Sequence, residues 1–148
     1  MKRTKLADRV LPIYTKGEEI FNMVSHIVGA TMGIAMIVLG IVFSALRNNP
    51  YGIASSIVFG VTLILLYTMS SIYHGLKPEL MAKKVFQIID HCSIFLLILG
   101  TYIPVSLSLM RNWIGWTLFG INMGKIKLRG SKEFIEITKE ALNLIKEK

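Results

Sequence analysis

Seven polar residues stand near the ends of three long apolar stretches: Glu19, Asn22 and His26, then Ser70 and His74, then Asp90 and His91. Ionisable groups at membrane depth are costly and mark function by default. The residue types are those of a metal or proton site. Neutral imidazole ligates zinc, and a carboxylate binds zinc or orients its bound water. Zinc lowers the pKa of that water to about 7, which supplies hydroxide at neutral pH. His74 is the best ligand candidate. Asp90 can hold the water or act as general base. Ser70 can donate a hydrogen bond to the site or to a substrate carbonyl. Taken singly, His26 and His91 read as interface histidines bonded to a loop or a headgroup.

The spacing supports a common site. Ser70 and His74 are four apart and share one helix face, and Glu19, Asn22 and His26, at i, i+3 and i+7, share another. Such groups meet only if three helices bring them to one level.

Those helices are legible as apolar blocks at about 20–46, 52–74 and 85–110, the last interrupted by Asp90 and His91. About 20 apolar residues cross the hydrocarbon core. Core helices of a soluble protein carry polar faces, and these blocks barely do. The fold class is therefore all-α, a polytopic membrane helical bundle.

Charge gives the orientation. Lys2, Arg3, Lys5, Arg9 and Lys16 precede the first span, and Lys77, Lys83 and Lys84 lie in the second loop. Arg47 and Arg111 alone flank the other side. The positive-inside rule places the N-terminus and the second loop in the cytoplasm, and all seven polar residues with them. A bacterial-type inner membrane is the expected location. The net charge of +8 reflects topology and attraction to anionic lipid rather than nucleic-acid binding. The first apolar run is too long for the core of a cleavable leader. The single cysteine, Cys92, excludes an intramolecular disulfide and reads as a packing residue.

Gly29-x3-Gly33 in the first span fits close helix packing. Lys16-Gly17-Glu18-Glu19 reads as a turn into that span, and Gly75 to Lys84 as the inner loop. Pro104 is expected to kink the third span. Residues 112–124 read as a partial fourth span carrying Trp113 and Trp116. Residues 125–148 read as a charged amphipathic tail helix, opening at Ser131 with an apolar stripe of Phe134, Ile137 and Ala141. The domain division is thus 1–124 and 125–148. The abrupt change of character within the fourth run also fits a truncated or frameshifted product.

Glu19-x2-Asn22-x3-His26, Ser70-x3-His74, and Ile89-Asp90-His91 with Gly100-Thr101-Tyr102-Ile103-Pro104 together resemble the haemolysin III family, which belongs with the progestin and adipoQ receptors. The resemblance covers roughly 14–120 and rests on the order, spacing and placement of short motifs. It implies a seven-helix membrane protein with an inside N-terminus and zinc near the inner face. In the family, zinc is held by the His of S-x3-H and by two His of an H-x3-H motif on the last span, with the third-span Asp near the metal-bound water. Carried over, His74 is the ligand, with Ser70 and Asp90 in support.

The chain departs from that pattern, since none of its three histidines forms an H-x3-H pair. The expectation is a haemolysin III-like membrane protein, cut after the third to fourth span, with a partial zinc site. Its chemistry is related to zinc-dependent lipid amide hydrolysis or to membrane homeostasis. A cytolytic pore-forming or receptor-like protein, or an inactive truncated family member, are the alternatives. The partners expected are membrane lipids, with a homo-oligomer open and no nucleic acid.

Overall fold

The computed structural model describes residues 6, 10–106, 113–117, 120, 121, 124 and 139. Three helices dominate it: α1 (Lys16–Leu46), α2 (Pro50–Gly75) and α3 (Met81–Pro104). Each is long and apolar enough to cross a membrane. Large apolar side chains such as Phe21, Val38 and Phe43 stand exposed along them, as a lipid-facing surface requires. The described residues contain no strand.

Helix starts are set by local capping. Thr15 is the N-cap of α1, accepting from the Glu18 amide (3.3 Å), while the Glu18 carboxylate accepts from the Thr15 amide (2.7 Å). This capping box satisfies two orphan donors at once. The expected turn at Lys16 to Glu19 is thus the first turn of the helix, and α1 begins four residues before the apolar block. At α2, Asn49 caps by accepting from the Gly52 amide (3.1 Å), with Pro50 in the first helical position. Between the two helices Asn48 takes a positive φ of 50°, a left-handed conformation that Asn tolerates.

The second loop is shorter than its sequence suggests. α3 starts at Met81, so Lys83 and Lys84 lie in its first turn rather than in the loop. Leu80 is the N-cap and makes no side-chain cap bond. A tertiary contact of Lys83, described below, holds this turn instead. At its other end α3 closes at Pro104 and passes into a π turn through Ser106. The expected extension of the third span to 110 lies outside the described residues.

The three helices alternate in direction, with α2 in the middle. α1 packs on α2 and α2 on α3, whereas α1 and α3 do not pack on each other. The α1–α2 seam is lined by small residues. A Cβ on Gly29 would sit 2.8 Å from the Tyr67 ring, one on Gly33 2.7 Å from Ile64, and one on Gly60 inside the Ile37 side chain. The expected close packing at Gly29 and Gly33 is therefore present, and α2 reciprocates with Gly60. Lipid tails are as apolar as Leu, so such backbone approach, not apolar burial, joins the helices.

Beyond the third helix, residues 113–117 are helical, with Trp113 and Trp116 exposed. The amphipathic tail expected at 125–148 lies, apart from helical Lys139, outside the described residues, so nothing described tests the boundary drawn after Gly124.

Candidate functional site

The N-terminal turn of α1, the last turn of α2 and the first turn of α3 meet at one end of the bundle. Glu19 is the hub. Its Oε2 lies 2.6 Å from His74 Nδ1, and its Oε1 accepts from Lys83 Nζ at 2.6 Å. Lys83 Nζ donates again to the Leu76 carbonyl (2.9 Å), at the C-cap of α2, and lies 5.1 Å from the centre of the Tyr73 ring. The Lys83 side chain is 2% exposed, that of His74 8% and that of Glu19 16%. Charges removed this far from water must be paired and hydrogen-bonded. Here one carboxylate uses both oxygens, and the ammonium finds a carboxylate, a carbonyl and an aromatic face.

The Glu19 contact fixes the imidazole. A carboxylate is an acceptor, so His74 Nδ1 carries the proton and donates, an assignment made from the hydrogen-bond geometry. Nε2 is then the nitrogen turned to other work. This carboxylate–histidine arrangement is the one that orients metal-ligating imidazoles and raises their basicity. The ring is held on two further sides by Tyr73 (4.8 Å between centroids) and Tyr14 (5.7 Å).

The other expected residues divide into those brought near His74 and those held away. His26 is near: its ring centroid is 5.6 Å from that of His74 and 5.6 Å from that of Tyr67. Sequence suggested a loop or headgroup partner for it. Instead its buried Nδ1 has no hydrogen-bond partner among the described residues. Ser70 is buried one turn before His74. Asp90 is partly buried on α3. Asn22 lines a separate hollow with Tyr14, Gly17, Glu18 and Phe21.

His91 is outside the cluster. Its side chain is 64% exposed and its Nδ1 donates to the Gln87 carbonyl on its own helix (2.6 Å). Asp90 and His91 are adjacent, and adjacent residues on a helix do not share a face. Asp90 is accordingly the less exposed of the two, and His91 Nδ1 comes no nearer than 4.0 Å to its carboxylate.

Lys83 is the site residue that sequence reasoning placed wrongly, as a loop charge. Its signal was its phase. Lys83, Gln87 and Asp90 recur at i, i+4 and i+7, and so mark one polar face of α3. Gln87 is buried on that face, its Oε1 without a hydrogen-bond partner among the described residues.

As a zinc site the donor set falls short. Among the described residues no three His, Cys, Asp or Glu side chains come together to hold a metal ion, whereas a catalytic zinc takes about three protein ligands and an open position. What the geometry supplies is one oriented imidazole with a second imidazole beside it.

Comparison with known proteins gives the lineage. A family described as "Haemolysin-III related" matches residues 14–125. The chain is 36% identical over 109 residues to the Hemolysin-3 homolog of Bacillus subtilis (strain 168), covering 74% of this chain and 51% of that protein. It is 36% identical over 105 residues to Hemolysin-3 of Bacillus cereus, covering 70% and 47%. The chain thus spans about half the length of the curated relatives it matches. No solved structure matches it. With three helices fit to cross a bilayer and a family match over most of its length, the chain is a multi-pass membrane protein of the haemolysin III family.

Proposed function

We propose that this haemolysin III-family chain sits in a bacterial-type inner membrane with its N-terminus in the cytoplasm. In this reading the Glu19–His74 pair is a partial metal site at the inner leaflet, of the kind used in metal-dependent lipid amide hydrolysis or membrane homeostasis. Two things support the orientation. Basic residues gather on the side of the N-terminus and the second loop, and that same end carries the polar cluster. The observation that carries the site is the 2.6 Å contact from Glu19 to His74 Nδ1, which leaves Nε2 as the ligating atom. Ser70 and Asp90 are the supporting groups of the proposal. One oriented imidazole is not a ligand set, so no hydrolytic step is assigned to it. The polar groups gather at one end instead of running the length of the helices, which favours a site over a pore.

Two measurements test this. Topology reporters placed after Glu79 and after Asn48 should read as inside and outside respectively; the reverse overturns the orientation. Zinc titrated into the purified chain should bind weakly or substoichiometrically, and His74→Ala should abolish most of that binding, with Asp90→Ala weakening it less. Unchanged zinc content in His74→Ala overturns the site. Stoichiometric, chelator-resistant zinc in the wild type would bring in further ligands, from His26 or from a second copy of the chain.

A further inference from the structure

Lys83 has features that a topogenic surface charge does not need. It is 1% exposed, the most deeply buried large side chain described. It reaches from α3 to a carboxylate on α1, although those two helices do not pack on each other. Its second bond, to the Leu76 carbonyl, ties it to the end of α2. From α3, its ammonium thus reaches groups of both α1 and the end of α2.

We propose that Lys83 is the positioning residue of the site: it pins the Glu19 carboxylate in the rotamer that receives His74 Nδ1–H, and so presets the imidazole with Nε2 free. The inference rests on the reading of His74 as the working group.

The argument is geometric and electrostatic. A Glu side chain on the first turn of a helix has several rotamers to choose from, and a single bond to an imidazole selects among them weakly. The bond from Lys83 Nζ to Oε1 fixes the second oxygen, and with both oxygens held the carboxylate plane cannot turn. Charge-assisted bonds of this kind are short and about twice as strong as neutral ones. Lys83 itself cannot drift, because its stem is buried and its ammonium is held by the Leu76 carbonyl and by the Tyr73 ring. Tyr73 also packs on His74 at 4.8 Å, so the cation and the imidazole are braced by the same aromatic side chain. Without Lys83 the Glu19 carboxylate keeps its charge but loses its second anchor. It then turns toward the water-facing N-terminus of α1, and His74 loses its fixed tautomer.

The test reads the tautomer, not activity. The full chain is labelled with 15N-histidine, reconstituted in phospholipid nanodiscs, and read with the imidazoles neutral. His74 signals are assigned by their loss in His74→Gln. Wild type should show His74 protonated at Nδ1, with a low-field proton from the short bond, and a bare Nε2. Lys83→Arg, which keeps a charged donor, should retain this signature. Lys83→Met should lose the low-field proton and show both tautomers, and Glu19→Ala, which removes the acceptor, should do the same. Helix content and thermal midpoint are measured alongside. An unchanged His74 signature in folded Lys83→Met overturns the proposal. If that variant does not fold, Lys83→Gln is read in its place: a mixed tautomer supports the proposal, and an unchanged one overturns it. These results are independent of zinc. A loss of tautomer control with no zinc effect in His74→Ala would sink the metal reading and leave the role of Lys83 standing; the converse would do the opposite.

Discussion

Along its length α1 is joined to its neighbours in two different ways. In its middle it meets α2 through missing side chains: Gly29 lies under the Tyr67 ring, Gly33 against Ile64, and Ile37 fills the space over Gly60. At its first turn it meets α2 and α3 through Glu19, which spends both carboxylate oxygens on His74 and Lys83. The seam rests on dispersion contacts that are small singly and large together. The hub rests on a few strong bonds among groups that are costly to leave unpaired. The difference lies in how each fails. A seam loses stability with each ångström of intrusion. A hub fails when one partner is removed, because the others keep their desolvation cost.

The sharpest way to break this comparison is Glu19→Ala. It strands Lys83 and His74, and removing one partner of a buried pair costs about 3–5 kcal/mol. Unfolding in mixed micelles reads it. The Glu19→Ala, Lys83→Met double variant removes both charges and should be more stable than Glu19→Ala alone. If the two losses simply add, the hub is not a coupled unit. Next in size is Gly60→Val, which drives a side chain into Ile37. Overpacking of this kind costs about 1–3 kcal/mol, and Ile37→Ala should restore part of it in the same assay. If Gly60→Val is neutral, the seam is looser than its contacts imply.

Smaller still is Thr15→Ala, which opens the capping box for about 1 kcal/mol. Because Glu19 follows Glu18 in the same turn, the loss should also broaden the His74 ring signals. His91→Ala should fall within about 0.5 kcal/mol of wild type, as surface substitutions do. Gly17→Ala is the control, since an added Cβ there meets nothing within 4 Å. It should be neutral or gain up to about 0.5 kcal/mol from helix propensity.

The apolar blocks made the number, order and direction of the helices legible, and hence the level shared by Glu19 and His74. Length and charge-free composition decide both, and neither depends on packing. Helix ends were less legible. Gly17 suggested a turn, while the Thr15–Glu18 pair, a capping signature at its proper spacing, set the start. Lys83 was hidden for a physical reason: a basic pair beside an apolar block satisfies the positive-inside rule equally well whether it is solvated or buried. Its phase with Gln87 and Asp90 could have told the two apart. His91 neighbours Asp90 in sequence, but a helix turns successive residues to different directions. The fate of His26 was not readable, since its neighbour Tyr67 lies on another helix.

The three-residue connection at 47–49 has a consequence for the order of assembly. With Leu46 ending α1 and Pro50 beginning α2, the first two spans are a local hairpin. Local contacts close early because little chain entropy is spent in bringing them together. The hub is different. Its two bonds to Glu19 join residues 55 and 64 apart in the chain, and the second needs α3. During synthesis the glycine seam can therefore zip before Lys83 has entered the bilayer. Glu19 then waits at the membrane surface with one oxygen bare. The arrival of α3 closes the site, so that its completion reports that the third helix has docked.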